Sequence, residues 1–290
     1  MSEPETRYAV CGVCPHRCRI PEGKTGRCRA RGTRDGAVVP LNYGLATSLA
    51  LDPIEKKPLA HFFPGSRILS VGSYGCNLNC PFCQNWEISM SDGREFRQGR
   101  RAEENTLAPK ELAGLAWQLR GRGNIGVAFT YNEPLISYEY VLDTAGLLRE
   151  RDLKVVLVTN GCVNGEVAEA VLPVTDALNI DLKSFREEVY RETLGGDLET
   201  VKRFIARAAE SCHVELTCLI VPGMNDTEDE MRAMTEWIAS LPGGRGIPLH
   251  VTRFFPRHRM TDRGPTERSA VLRLAEIARE RLDRVYPGNM

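Results

Sequence analysis

From residue 67 onward the chain alternates short apolar runs with longer amphipathic ones, and this alternation limits the available folds more than any other feature. The apolar runs are RILSVGS (67–73), IGVAFT (125–130), KVVLVT (154–159), ALNIDLK (177–183), VELTCLIV (214–221) and PLHVTRF (248–254). Several are continuous rather than alternating, as expected of strands covered on both faces. Between and after them lie helix-period segments such as PKELAGLAWQLRG, YEYVLDTAGLLRER, ETVKRFIARAAES, EDEMRAMTEWIAS and ERSAVLRLAEIARERL. A strand leading through a helix to the next strand makes a right-handed βαβ unit, so an α/β fold with a parallel sheet is expected. A closed eight-unit barrel needs about 250 residues. The six units found within 66–290 predict a partial (β/α)6 TIM-like barrel ending in a C-terminal helix.

Residues 1–65 break the pattern. They hold four cysteines, Gly- and Pro-rich turns and short apolar runs such as AVVPLNYG. A small Cys-rich β domain that binds metal is expected there, followed by the barrel.

Composition narrows the function. With 38 basic and 38 acidic side chains, phosphate neutralisation is a poor basis for partnership, and no nucleic-acid partner is expected. No run approaches the roughly 18 apolar residues of a membrane helix, and no apolar leader follows Met1, so a cytoplasmic chain without membrane contact is expected. In a reducing compartment its ten cysteines are candidates for metal ligands rather than disulfides. Seven fall in two clusters, at 11–28 and 76–83. Cys162, Cys212 and Cys218 are scattered and are expected to be structural free thiols.

The second cluster, GCNLNCPFC (75–83), spaces Cys76, Cys80 and Cys83 as C-x3-C-x2-C directly after the first barrel strand. The carboxyl end of a strand is where parallel barrels place their chemistry. Three thiolates can hold three irons of a cubane cluster. The fourth iron then keeps an open position, the mark of a catalytic rather than a structural metal. The other reading is a zinc ion with a distant fourth ligand. The loop resembles the signature of the radical S-adenosylmethionine (SAM) superfamily, C-x3-C-x-aromatic-C, with Phe82 in the aromatic place. That resemblance implies a [4Fe–4S] cluster on the three cysteines, with SAM chelating the fourth iron. It further implies reductive cleavage of SAM to methionine and a 5′-deoxyadenosyl radical, with an external one-electron donor of flavodoxin or ferredoxin type.

The resemblance continues at later strand ends. FTYNEP stands where many members carry Gly-Gly-Glu-Pro at the SAM amino group; Glu133 and Pro134 match, while Tyr131 and Asn132 replace the glycines. A carboxylate there would attract an ammonium, although an acid near a helix start also serves as a cap. The run from NIDLKSF to LIVPGMND is similar to glycyl-radical-enzyme activases such as pyruvate formate-lyase activating enzyme. Carried over, the similarity nominates Thr159, Asp181, Lys183 and Val221 for SAM, although Lys183 also fits an exposed strand end. Val158 replaces the acid on which the activases build a monovalent-cation site. In LHVTRFFP, His250 and Arg253 are three apart, so a regular strand cannot turn both inward. Each is a candidate for substrate or SAM contact, and His250 also fits a satisfied structural histidine.

CGVCPHRCRIPEGKTGRC spaces Cys11, Cys14, Cys18 and Cys28 as C-x2-C-x3-C-x9-C, which suits a zinc ion or a second iron–sulfur cluster. Together with LDPIEKKPLAHFFPGS (51–66), it looks like the AmmeMemoRadiSam-system radical SAM proteins, in the pyruvate formate-lyase activase-like group. DPIEKKP either lines the active site or is a solvated connection with paired charges. Three functions compete: a radical SAM enzyme on a small molecule, a glycyl-radical activase, and a non-enzymatic metal or electron-transfer module. A small, polar, planar or anionic substrate such as a pyrimidine-like heterocycle is favoured, because Tyr131 and Asn132 narrow the site and Arg253 offers donors.

Overall fold

The computed structural model describes residues 8–97 and 106–290. The N-terminal part consists of two short hairpins. Strand β1 (Tyr8–Val10) pairs antiparallel with β2 (Arg19–Pro21), and β3 (Arg31–Arg34) pairs with β4 (Ala37–Pro40). The second hairpin turns at Asp35-Gly36, both at positive φ (52° and 76°), the backbone that an Asp-Gly turn of primed type requires. The Glu22 carboxylate accepts from both turn amides, at 2.9 and 3.1 Å.

The main sheet has eight strands among the described residues. It begins with β5 (Ser48–Pro53), antiparallel to β6 (Arg67–Gly72). Two helical turns, α1 (Trp86–Ser89) and α2 (Arg94–Arg97), follow the cysteine loop, and α3 (Pro109–Gln118) leads to β7 (Asn124–Phe129). The repeat then runs through α4 (Tyr138–Arg149), β8 (Lys154–Thr159), α5 (Gly165–Val171) and β9 (Ala177–Asp181). It continues through α6 (Leu198–Ser211), β10 (His213–Ile220), α7 (Glu228–Ser240), β11 (Leu249–Arg253), α8 (Arg268–Arg279) and β12 (Val285–Gly288). Strands β6 to β12 are parallel and stand in chain order, as successive right-handed crossovers demand.

The six expected strands are β6 to β11. The sheet is wider by one strand on each side, so the parallel set numbers seven rather than six. Strand β5 comes from the segment expected to belong with the N-terminal domain, yet all its residues from Ser48 to Pro53 pair with β6.

Helix α6 shows how pattern becomes packing. Leu198, Val201, Ile205 and Ala208 recur at helical spacing, and all are buried against the sheet. Asp197 starts the helix by accepting the Thr200 amide at 2.6 Å. Val127, Val155, Leu157, Leu178, Ile180 and Leu216 of the strands belong to the same core cluster as these helix residues. Among the described residues no helix is long and apolar enough to cross a membrane.

Candidate active site

The strand ends enclose one cavity of about 840 Å³. Of the residues nominated from sequence, Cys76, Cys80, Cys83, Phe82, Tyr131, Asn132, Glu133, Thr159, Asp181, Lys183 and Arg253 line it together. His250 and Val221 do not. His250 is the second residue of β11, and its Nε2 meets the fully buried Glu215 at 2.7 Å. Glu215 also meets His213 and accepts the Ala60 and His61 amides, so His250 belongs to a structural network deeper in the barrel. Burial pushes Glu215 up, but these bonds outweigh it and bring the carboxyl down to about 2. Val221 is fully buried and donates its amide to Asn225 at 2.7 Å.

The cysteine loop is held from three sides. Asn77 donates to the Cys162 carbonyl at 2.7 Å, Asn79 donates its amide to Leu194 at 2.8 Å, and Arg259 donates its amide to Pro81 at 2.9 Å. Asn160 approaches the Cys76 sulfur at 3.6 Å and the Ser89 hydroxyl lies 3.2 Å from the Cys83 sulfur. Burial raises the Cys80 thiol to about 11 and Cys76 well above its ordinary value, so loading a metal must release protons here. Among the described residues no three His, Cys, Asp or Glu side chains converge as single-ion ligands. Three thiols on the wall of a roomy cavity, backed by Asn160 and Ser89, fit the cluster.

Glu133, only 2% exposed, sits at the centre of the wall. It accepts from Thr159 Oγ1 (2.7 Å), the Asn160 amide (2.8 Å) and the Leu135 amide (3.0 Å). Burial dominates over those donors and raises its carboxyl to about 7. It caps the turn at Leu135 and also lines the cavity. Lys183 lies across the cavity, 2.7 Å from Asp181. Burial opposes its charge, but the Asp181 carboxylate overrides this and keeps it an ammonium.

Tyr131 has a φ of 71°, the left-handed region that favours glycine, which is the residue type the family pattern has there. Its carbonyl is tied to Asn85 at 2.8 Å and its hydroxyl donates to Asp52 at 2.7 Å. Asp52 also receives Lys57 Nζ at 2.8 Å, and that ammonium lies 4.6 Å from the Tyr131 ring centre. Lys56, Lys57 and Pro58 all line the cavity. The DPIEKKP segment is therefore part of the site, delivered by β5 and the turn after it. Sequence reasoning also missed Asn85, Ser89, Asn160, Asn179, Thr217, Thr252 and Arg257 on the wall. Two residues could have been found by strand parity, since Asn179 and Thr217 point with Asp181 and Leu219.

A model of the Radical SAM superfamily matches residues 70–238. The chain is 37% identical to the uncharacterized protein MJ0808 of Methanocaldococcus jannaschii, over 97% of this chain and 81% of that one. It is 24% identical to the pyruvate formate-lyase 1-activating enzyme of Escherichia coli K12, covering 64% of this chain and 74% of the relative. In fold it is similar to Streptococcus suis SuiB bound to S-adenosylmethionine, with a TM-score of 0.57, 13% identity, and coverage of 77% of this chain and 52% of that one. A three-cysteine loop at the head of a partial barrel and a family match over most of that barrel agree: this chain belongs to the radical SAM superfamily.

Proposed function

We propose that this radical SAM enzyme acts on a small anionic molecule, planar or unsaturated, held between SAM and the DPIEKKP segment. One observation carries the reading: the cavity wall bears Lys56, Lys57, Lys183, Arg253 and Arg257 but only two carboxylates, Glu133 and Asp181. Its volume lies within the roughly 300–1,000 Å³ range of small-molecule sites.

Cys76, Cys80 and Cys83 would hold the [4Fe–4S] cluster, which with SAM supplies a 5′-deoxyadenosyl radical. Glu133 receives the ammonium of the methionine moiety, and Thr159 holds that carboxylate in place. Lys183, oriented by Asp181, meets the methionine carboxylate. Arg253, which donates to the Thr266 carbonyl at 2.6 Å and lies 4.9 Å from the Phe255 ring centre, is fixed at the substrate side. Tyr131 and Asn132 replace the small residues of the family pattern and reduce the space beside SAM. The subgroup we infer is the AmmeMemoRadiSam type, which the N-terminal cysteines and DPIEKKP support. The activase relative supports the competing reading, a backbone glycine of another protein as substrate.

The test is anaerobic reconstitution followed by 5′-deoxyadenosine analysis, with SAM, reductant and either charge-fractionated metabolites or candidate glycyl radical enzymes. Turnover that depends on the anionic fraction is expected, and none with Cys80→Ala. A glycyl radical signal in a partner protein, without metabolite-dependent turnover, overturns the substrate reading.

A further inference from the structure

Lys57 is a buried amine on the cavity wall, and the chain around it holds it still. Its side chain is 3% exposed. On either side of it, Ile54 and Leu59 are fully buried in one cluster with Ile68, Ala128, Val156 and Ala177 of the strands. The Pro58 carbonyl accepts from Asn179 at 2.8 Å, and the Ala60 and His61 amides donate to Glu215 at 2.9 and 2.7 Å. A reactive group needs such support, because its aim is only as good as the backbone that presents it.

Three side chains converge there on one carboxylate. Asp52 Oδ2 accepts Lys57 Nζ at 2.8 Å and the Tyr131 hydroxyl at 2.7 Å, and Oδ1 lies 3.6 Å from Lys56 Nζ. Two adjacent lysines thus share one negative charge, and a second cation beside a desolvated lysine loosens that lysine's hold on its proton. Burial pulls Lys57 below the usual lysine value; Asp52 pushes it back up and the Lys56 charge lowers it again, with a net fall. Lys183, on the same wall, is the opposite case, held as an ammonium by Asp181. Among the described residues Asp52 is the one hydrogen-bond acceptor at Lys57 Nζ, and the Tyr131 ring centre, 4.6 Å away, covers a second direction. The remaining N–H is left to whatever fills the cavity. Arg257, exposed and lining the same cavity, has its guanidinium free of any hydrogen bond or ion pair among the described residues.

We infer that Lys57 forms an imine with the carbonyl carbon of the substrate, which rests on the anionic-substrate reading and narrows it to a 2-oxo acid or a related carboxylate-bearing ketone or aldehyde. Lys57 passes a proton to Asp52, and its free amine attacks the carbonyl carbon. As the N–C bond forms, the carbonyl electron pair moves to oxygen, which takes a second proton from the nitrogen. Asp52 returns its proton to that hydroxyl, the C–O bond breaks, and water leaves. The resulting iminium carries the one positive charge that the ammonium began with, and nothing is oxidised or reduced. Tyr131, pushed up to about 12 by burial and Asp52, stays a phenol and keeps the carboxylate in place. Arg257 meets the substrate carboxylate as a charge-assisted donor. The iminium fixes the substrate in the cavity that the three cysteines line. A radical on the neighbouring carbon is then delocalised over the C=N bond, which eases loss of a hydrogen atom there.

In the first experiment the reconstituted full chain is incubated with pyruvate, glyoxylate or 2-oxoglutarate, treated with cyanoborohydride and mapped by peptide mass spectrometry. Reduction of an imine fixes the acid to the amine. At least one of the three acids should label Lys57 about tenfold or more above the exposed Lys24 and Lys110. Lys57→Arg, which keeps a cation beside Asp52, should lose that label and keep the other two. Labelling of Lys57 no stronger than that of Lys24 and Lys110 with all three acids overturns the inference, and the wild-type map decides this alone if the variant fails to fold. In the second experiment the anionic metabolite fraction is first reduced with borohydride, which turns oxo acids into hydroxy acids of the same charge. Loss of 5′-deoxyadenosine formation is expected. Turnover that survives this treatment overturns the imine and leaves an anionic substrate in place, whereas turnover from the neutral fraction alone overturns both.

Discussion

Glu133 is a carboxyl group that the fold keeps part-protonated until a cation arrives. Its value of about 7, against the ordinary 4.5, is set first by burial and only partly offset by three hydrogen-bond donors. Raising a carboxyl by that much disfavours the ionised form by about 3 kcal/mol. The sign follows from linkage. Between pH 4.5 and 7 the unfolded chain has lost this proton and the folded chain has kept it, so stability declines across that window as pH rises and is level above it. Glu133→Gln removes the titration. Urea unfolding of the ligand-free protein from pH 5 to 8 should show wild type losing about 2–3 kcal/mol relative to the variant over this range. Comparing slopes cancels the fixed cost of turning an amide N–H₂ toward one of the existing donors. The ammonium of SAM should lower the carboxyl again, so SAM binding to wild type releases protons at pH 6 and tightens toward pH 8. Parallel pH profiles for wild type and Glu133→Gln would refute the reasoning, because the carboxyl would then titrate normally.

Three further outcomes are expected. Lys183→Ala should weaken SAM affinity at least tenfold in equilibrium dialysis while iron content stays unchanged; equal affinity removes it from the site. Lys57→Met should cost about 1–3 kcal/mol in urea unfolding, because it removes the nearest ammonium from Asp52, whose carboxyl is pushed up by burial but brought to about 2 by Lys57 and Tyr131, and leaves it the Tyr131 hydroxyl and Lys56; a loss under about 0.5 kcal/mol would mean that the pair behaves as a surface one. Gly75→Ala combines a φ of 86°, a backbone that costs a side chain roughly 1–2 kcal/mol, with a Cβ 2.6 Å from the Cys28 carbonyl. It should lower the melting temperature and the iron content after reconstitution, because the loop that carries Cys76 must shift, and wild-type values of both would mean that the two loops separate without consequence.

Strands β6 to β11 were legible because both faces of the parallel sheet are covered, one by the crossover helices and the other by the barrel interior, which leaves continuous apolar runs. Strand β5 was hidden for the opposite reason. Its run SLALDP is only half-buried and ends in an acid and a proline, which reads as a connection until its partner is known. Strand β12, VYPG, carries Pro287 and Gly288, residues that sequence patterns assign to turns but that an edge tolerates. The cysteines and Glu133 could be found because their motifs stand directly after strands, at the ends that the cavity occupies. Asp52, Lys57 and Tyr131 could not be joined from sequence, since 79 residues separate the first and last. His250 was assigned too near the cavity because a residue at the start of a strand and one at its end look alike in a short run. Only the structure shows that His250 turns its ring to Glu215, while Thr252 and Arg253 at the end of the same strand are the β11 residues that line the cavity.

The two outer strands also decide how this sheet can meet other chains. An open edge offers unpaired amides and carbonyls to any passing strand, the usual route to unwanted polymerisation. Here one margin is β12, four residues long and interrupted by Pro287, which has no amide to offer. The other is β5, six residues long and closed by Pro53. Neither margin is a long, regular template for a further strand. A partner protein is therefore offered side chains on a face of the molecule rather than a margin on which to extend the sheet.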